Sequence, residues 1–140
     1  MVHPISEILC NGPLAQAQNL IGEGCLQGSI YMDEAMTMAA KQGLTERLIL
    51  LHQQGKGDNL VVCYIIAYNR KDHAMKDQLK GLRVHREKED IYIDQDAINK
   101  DLMTELTQLW GVRPRQRNAL YAKTSWILDK HALQYYGCLN

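Results

Sequence analysis

Cysteine, histidine, serine and glycine-rich turns are the features of this chain most able to carry chemistry. Cys10, Cys25, Cys63 and Cys138 never pair as C-x-x-C, and His3, His52, His73, His85 and His131 never recur as H-x-x-x-H. A metal site needs ligands gathered by spacing or by fold, so these patterns predict no metal and no cofactor. Cys25, in Gly22-Glu23-Gly24-Cys25-Leu26-Gln27-Gly28, is the one candidate nucleophile, because neighbouring glycines expose backbone amides around the thiol. No histidine or polar orienter accompanies it locally. The glycines at 22, 24 and 28 miss the dinucleotide fingerprint by one position, and Gly55-Lys56-Gly57-Asp58 is too short to cradle a phosphate chain. Ser6, Ser29 and Ser125 lack a nucleophile-elbow context. Catalysis therefore ranks third among the functions considered, and the chain is expected not to be an enzyme.

Residues 106–123 carry a different chemistry. Arg113, Arg115, Arg117 and Lys123 follow Gly111-Val112, and Thr107 stands four residues before the glycine. This is similar to the helix-turn-helix pattern, whose second helix enters the major groove. In that reading the four cations neutralise phosphates and Asn118 reaches a base edge. Arg117, however, falls where that family packs an aliphatic side chain. A basic rim that meets an acidic protein is the competing reading.

The whole chain bounds both ideas. Its 140 residues hold sixteen Lys+Arg and sixteen Asp+Glu, and 46% are hydrophobic. Such a composition excludes a disordered chain and a strongly basic chromatin-type protein. Charge is nonetheless polarised: residues 1–60 hold three Lys/Arg against six Asp/Glu, and residues 61–140 hold thirteen against ten. The longest apolar run, residues 60–68, is far shorter than the roughly 20 residues of a membrane-spanning helix, so no membrane partner is expected. No basic and apolar leader precedes Gly12, and scattered thiols suit a reducing compartment, so a cytoplasmic location is expected.

The elements that would position these residues read mainly as helices. Asp33 is placed to cap a helix over 34–41 that ends before Gly43, and Thr45 to cap the next, with Leu48, Leu51 and His52 on one face. Two helices joined by so few residues imply an antiparallel hairpin. The interval from Gly12 to Gly24 recurs from Gly43 to Gly55, a period of 31 residues, and a third copy with altered spacing starts near Ile66. Periods of that size mark helical repeats. The segment 39–55, with two alanines, Gly43, Glu46, a leucine-rich helix and closing Gly55, resembles the helix–turn–helix core of an ankyrin repeat. The resemblance fades over 8–24 and departs from the family where Glu34-Ala35-Met36-Thr37 replaces its Thr-Pro-Leu-His turn. It implies binding of other proteins through loops and inner helices, without catalysis.

The rest of the chain is less regular. Residues 60–68 are β-branched enough for a strand, yet Asp58 offers a cap and the neighbours are helical, which favours a buried helix. Short alternation at 83–85 and 91–93 around Glu87-Lys88-Glu89-Asp90 suggests a minor β-hairpin. Asp94 or Asp96 is placed to cap a helix bearing Ile98, Leu102, Leu106, Leu109 and Trp110, closed by Gly111. A final helix is expected from near Arg115 to Gly137, with Leu120, Thr124, Ile127, Leu128, His131 and Tyr135 on one stripe.

The sequence thus predicts a mainly α chain of antiparallel helical hairpins, in the finer reading a degenerate repeat, with a small hairpin at 83–93. It is expected to form a single domain, 1–140, divisible into a helical-hairpin part, 1–81, and a C-terminal helical pair, 82–140. The preferred function is non-catalytic protein binding, as an adaptor, inhibitor or chaperone-like module. Its contacts are assigned to loops 24–33 and 55–59, represented by Tyr31, Met32, Lys56 and Asp58, with Tyr135 and Tyr136 as a further contact suited to a homodimer. Nucleic acid, through Arg113, Arg115, Arg117, Asn118 and Lys123, is the alternative partner.

Overall fold

A computed structural model describes residues 2–86, 88–116, 120–121 and 123–139. The chain forms two compact units, Met1–Leu82 and Arg83–Asn140.

The first unit is built from three consecutive helix pairs. They are α1 (Pro4–Asn11) with α2 (Leu14–Ile21), α3 (Ile30–Gln42) with α4 (Thr45–Gln53), and α5 (Leu60–Asn69) with α6 (His73–Leu79). Two or three residues join the members of each pair, and α3 packs between α1 and α5. On α3 the buried residues Met32, Ala35, Met36, Ala39 and Ala40 recur at helical spacing and form its core stripe. The helix is capped by Ser29, whose Oγ accepts from Met32 N at 3.4 Å, so it starts before the expected Asp33. It ends at Gly43, whose φ of 77° is the left-handed conformation that closes a helix with little strain for glycine alone.

The apolar run is helix α5, with every residue from Leu60 to Ala67 buried. A helix that is apolar all round must be covered on every side, and α3 and α6 both pack on it. Lys76 of α6 lies 4.8 Å from the centroid of the Tyr68 ring. Arginines close the carboxyl ends of two inner helices. Arg47 of α4 donates to Leu9 O, Cys10 O and Gly12 O at 2.9, 3.0 and 2.9 Å, and Arg70 donates to Ala40 O at 2.9 Å. Carbonyls at a helix end lack intrahelical partners, and the helix dipole there also favours a cation; Ala40 O additionally accepts from Gly43 N at 3.3 Å.

The second unit corrects several expectations. The strands are parallel and do not make a hairpin: β1 (Ile91–Asp94) is central, between β2 (Arg113–Arg115) and β3 (Trp126–Leu128). Among the described residues of 83–90 there is no strand. Val84 alone is apolar in 83–85, so pairing there would shield little of Ile91 and Ile93. Instead the partners come from farther along, and Ile93 and Leu128, opposite one another, are buried. Between β1 and β2 runs α7 (Lys100–Trp110), capped by Asn99 in place of Asp94 or Asp96, with Asn99 Oδ1 accepting from Asp101 N at 2.7 Å.

The long helix expected from Arg115 is absent. Residues 113–115 and 126–128 are strands, and the only helix after them among the described residues is α8 (Lys130–Tyr135). Pro114 supplies a reason, because the residue before a proline is driven out of the helical region. Leu120, expected on the buried stripe, is fully exposed. The arrangement after Gly111 is therefore not that of a helix-turn-helix.

Candidate functional site

In the first unit the segments between helix pairs, 22–29 and 54–59, are held against each other by backbone and side-chain bonds. Gly28, with a φ of 68°, donates from its backbone N–H to Gly55 O at 2.9 Å. Asp33 Oδ1 accepts from Asp58 N at 2.8 Å. Behind them the buried Asn59 donates to Thr37 Oγ1 at 2.9 Å, and that hydroxyl donates to Asp33 O at 3.0 Å. Buried His52 places Nδ1 2.8 Å from Gly57 O, tying the second segment back to α4. The segment 54–59 is thus fixed from two helices, α3 and α4, and the segment 22–29 is bonded to it.

Methionines form the underside. A methyl group on Gly57 would collide with Met36 Sδ and lie 3.2 Å from Met32 Cγ, so the backbone at 57 passes directly over the two thioethers. Met32 is fully buried, which removes it from the expected contact residues. Its position on the core stripe of α3 is the cause. Tyr31 is half-buried, with its ring 4.5 Å from that of His3, and its carbonyl accepts from Ser6 Oγ at 3.3 Å. Lys56 is exposed and holds a φ of 59°, unusual for a residue other than glycine, while Asp58 is half-buried. Ile30, which the sequence reading passed over, is 75% exposed at the first turn of α3. The signal for it is present: Ser29 caps the helix, and a residue one place on falls outside the 32–35–36–39 stripe.

A recess of about 640 Å³ in this unit opens between α2 and the start of α4, lined by Leu14, Gln18, Leu44, Thr45, Glu46 and Leu50. Leu14 and Leu44 are exposed there. In the second unit Arg113 and Lys123 are exposed and Arg115 is half-buried, with its Nη1 3.8 Å from Asp129 Oδ2. Arg117 and Asn118 lie outside the described residues. Tyr135 is 77% exposed on α8, edge-on to Tyr136 at 5.4 Å.

The thiols do not converge. Cys25 is exposed in a single 3-10 turn, Gly24–Leu26, and Cys10, Cys63 and Cys138 are buried. No group of three or more His, Cys, Asp or Glu able to hold a metal occurs among the described residues. Burial pushes the Cys10 thiol up to about 11; Glu7 adds to the rise and Arg47 opposes it. The folded state therefore holds this proton more tightly than the unfolded chain. Its contribution to stability is fully present below pH 9.0 and is lost as pH climbs toward 11. Urea unfolding should show a loss of up to about 1.4 kcal/mol per pH unit in that window. Cys10→Ala should flatten the dependence, and an unchanged pH slope in the variant would refute this assignment.

No described helix is long and apolar enough to cross a membrane. Comparison of the chain with protein-family models, with curated proteins and with solved structures finds no match.

Proposed function

We propose that this chain is a non-catalytic protein-binding module, an adaptor, inhibitor or chaperone-like partner acting through the linked segments 22–29 and 54–59. The observation that carries the reading is the tie between these segments, Gly28 N to Gly55 O, together with the Asp58 N to Asp33 Oδ1 bond that holds the second segment to α3, and Ile30 exposed two residues after Gly28. An exposed isoleucine and an exposed lysine on the two backbone segments joined by the Gly28–Gly55 bond have the make-up of an interface: an apolar anchor with a charged rim. Three successive helix pairs joined by short turns support the finer reading, a degenerate ankyrin-like repeat. In that reading the inter-pair segments present the contacts. Four free cysteines suit a reducing, cytoplasmic setting, and Tyr135 with Tyr136 is the surface assigned to self-association.

The test compares immobilised wild-type protein with Ile30→Asp and Lys56→Glu, in nuclease-treated lysate. Both side chains are exposed, so both variants should keep the wild-type circular dichroism spectrum. A protein retained at stoichiometric level by the wild type should fall at least tenfold with each variant, about 1.4 kcal/mol. Equal retention by all three would overturn the assignment of this surface.

A further inference from the structure

The parallel sheet of the second unit has one apolar face and one polar, aromatic face, and the second has a use that the helical unit does not supply. Register puts Tyr92 of β1 opposite Arg113 of β2 and Ile127 of β3, and Asp94 opposite Arg115. Side chains alternate along a strand, so Tyr92, Asp94, Arg113, Arg115 and Ile127 share one face, and Ile91, Ile93, Pro114, Trp126 and Leu128 share the other. Ile91, Ile93 and Leu128 of the second set are buried, Trp126 is half-buried and Pro114 at the edge is exposed, whereas no member of the first is buried. Parallel sheets ordinarily have both faces covered, which makes a polar, accessible face on this one a departure from the rule.

The chemistry of that face is specific. Tyr121 lies over it, its ring 4.5 Å from Tyr92 in an edge-on arrangement and 6.0 Å from the Arg115 guanidinium. Tyr121 Oη donates to Gln116 O at 2.6 Å, which fixes the ring from the far side. Arg113 is exposed beside Tyr92 and forms no ion pair among the described residues. From residue 106 to residue 128 the sequence holds four cations and no acid. Asp94 and Asp129 border the face at the strand ends, with Asp129 within 3.8 Å of Arg115. The free positive charge is thereby concentrated at the Arg113 end, next to the tyrosines.

We infer that the Tyr92–Arg113–Tyr121 face binds single-stranded nucleic acid, with tyrosine rings as the stacking platform for bases and Arg113 as the phosphate contact. Unpaired bases expose a π-face that any sequence offers, and arginine beside aromatic rings meets both the base and the backbone. A duplex hides its bases, so it gains only the phosphate contacts. An acidic protein would use the arginine but gain little from the tyrosines. This site is independent of the segments 22–29 and 54–59.

The experiment is fluorescence anisotropy of the full chain with labelled oligo-dT of about 15 nucleotides. The corresponding duplex and polyglutamate serve as competitors. Oligo-dT should bind at about 50 mM salt, more tightly than duplex, with a log–log salt slope of about −0.7 per phosphate contacted. Arg113→Glu should weaken binding at least tenfold and make the salt slope shallower. Tyr92→Leu should weaken it roughly 5- to 100-fold while leaving that slope unchanged. Absence of binding at low salt, or polyglutamate competing as well as oligo-dT, overturns the inference. Should Tyr92→Leu lose its fold, the exposed Arg113→Glu decides alone, and unchanged affinity in that variant overturns the inference as well.

Discussion

Arg47→Met should lower the stability of the helical unit by about 3 kcal/mol, although the residue lies at the protein surface for part of its length. Three charge-assisted hydrogen bonds run from one guanidinium to Leu9 O, Cys10 O and Gly12 O, all between 2.9 and 3.0 Å. Bonds to charged groups contribute about 1.5–3 kcal/mol each, but three that share one donor are not additive. What decides the size is what remains behind. Leu9 and Cys10 are buried, so their carbonyls at the end of α1 would lose a partner with little water to replace it. Methionine keeps the apolar stem, which isolates the polar loss. Arg47→Lys should recover only a minority of it, because a single ammonium does not span three acceptors held in a fork. Urea unfolding read by far-ultraviolet circular dichroism is the appropriate measurement, since Trp110 and Trp126 both belong to the other unit. A cost under about 1 kcal/mol for Arg47→Met would show that the helix end is not held this way.

The second large effect is at Gly57. Alanine there should cost about 2 kcal/mol, within the usual range for overpacking a full interior. The collision is with side chains alone, Met36 Sδ and the Cγ atoms of Met32 and Met36, and not with backbone. That distinction makes the prediction sharper than a simple loss. Met36→Ala, in the core, should by itself cost about 3 kcal/mol through the cavity it leaves. In the double variant the new methyl group enters part of that cavity. The combined cost should therefore fall short of the sum of the single costs by about 1–2 kcal/mol. Strict additivity in this cycle would mean that Gly57 is required for some reason other than the methionines beneath it.

Much of the helical unit was legible because its determinants are local. Gly43 closes α3, the short turns follow from closely spaced breakers, and the core stripe of α3 is written at helical spacing. That spacing also marks Met32 as buried; reading it as a contact followed its residue type and neighbouring loop, where its place on the stripe was the stronger signal. Asp33 was expected as a cap for the right chemical reason but in the wrong place. Ser29 lies nearer the true start, and the Asp33 carboxylate is used by Asp58 N instead.

The sheet was not legible, for a different reason. Strands of three or four residues carry too little alternation to announce themselves, and nothing near β1 reveals that its neighbours lie more than eighteen residues away. Pro114 was the available warning against a helix at Arg115. The loops 24–33 and 55–59 were expected as contacts because they join helices. That they are bonded to one another, and that Ile30 stands exposed, depends on how α3 is set against α4 and α5.

The pairing of β1 with both β2 and β3 also fixes an order of events. In the helical unit each pair meets the next in sequence, so structure can accumulate as the chain lengthens. The sheet has no such path: its central strand is made first and waits for Arg113–Arg115 on one side and Trp126–Leu128 on the other. Closing such long loops precedes the gain from burying Ile93 against Leu128, which makes this the slower step. During synthesis Ile91 and Ile93 would stand uncovered until Leu128 has emerged, so the second unit, and not the larger helical one, sets the interval in which the nascent chain is open to aggregation or to a chaperone.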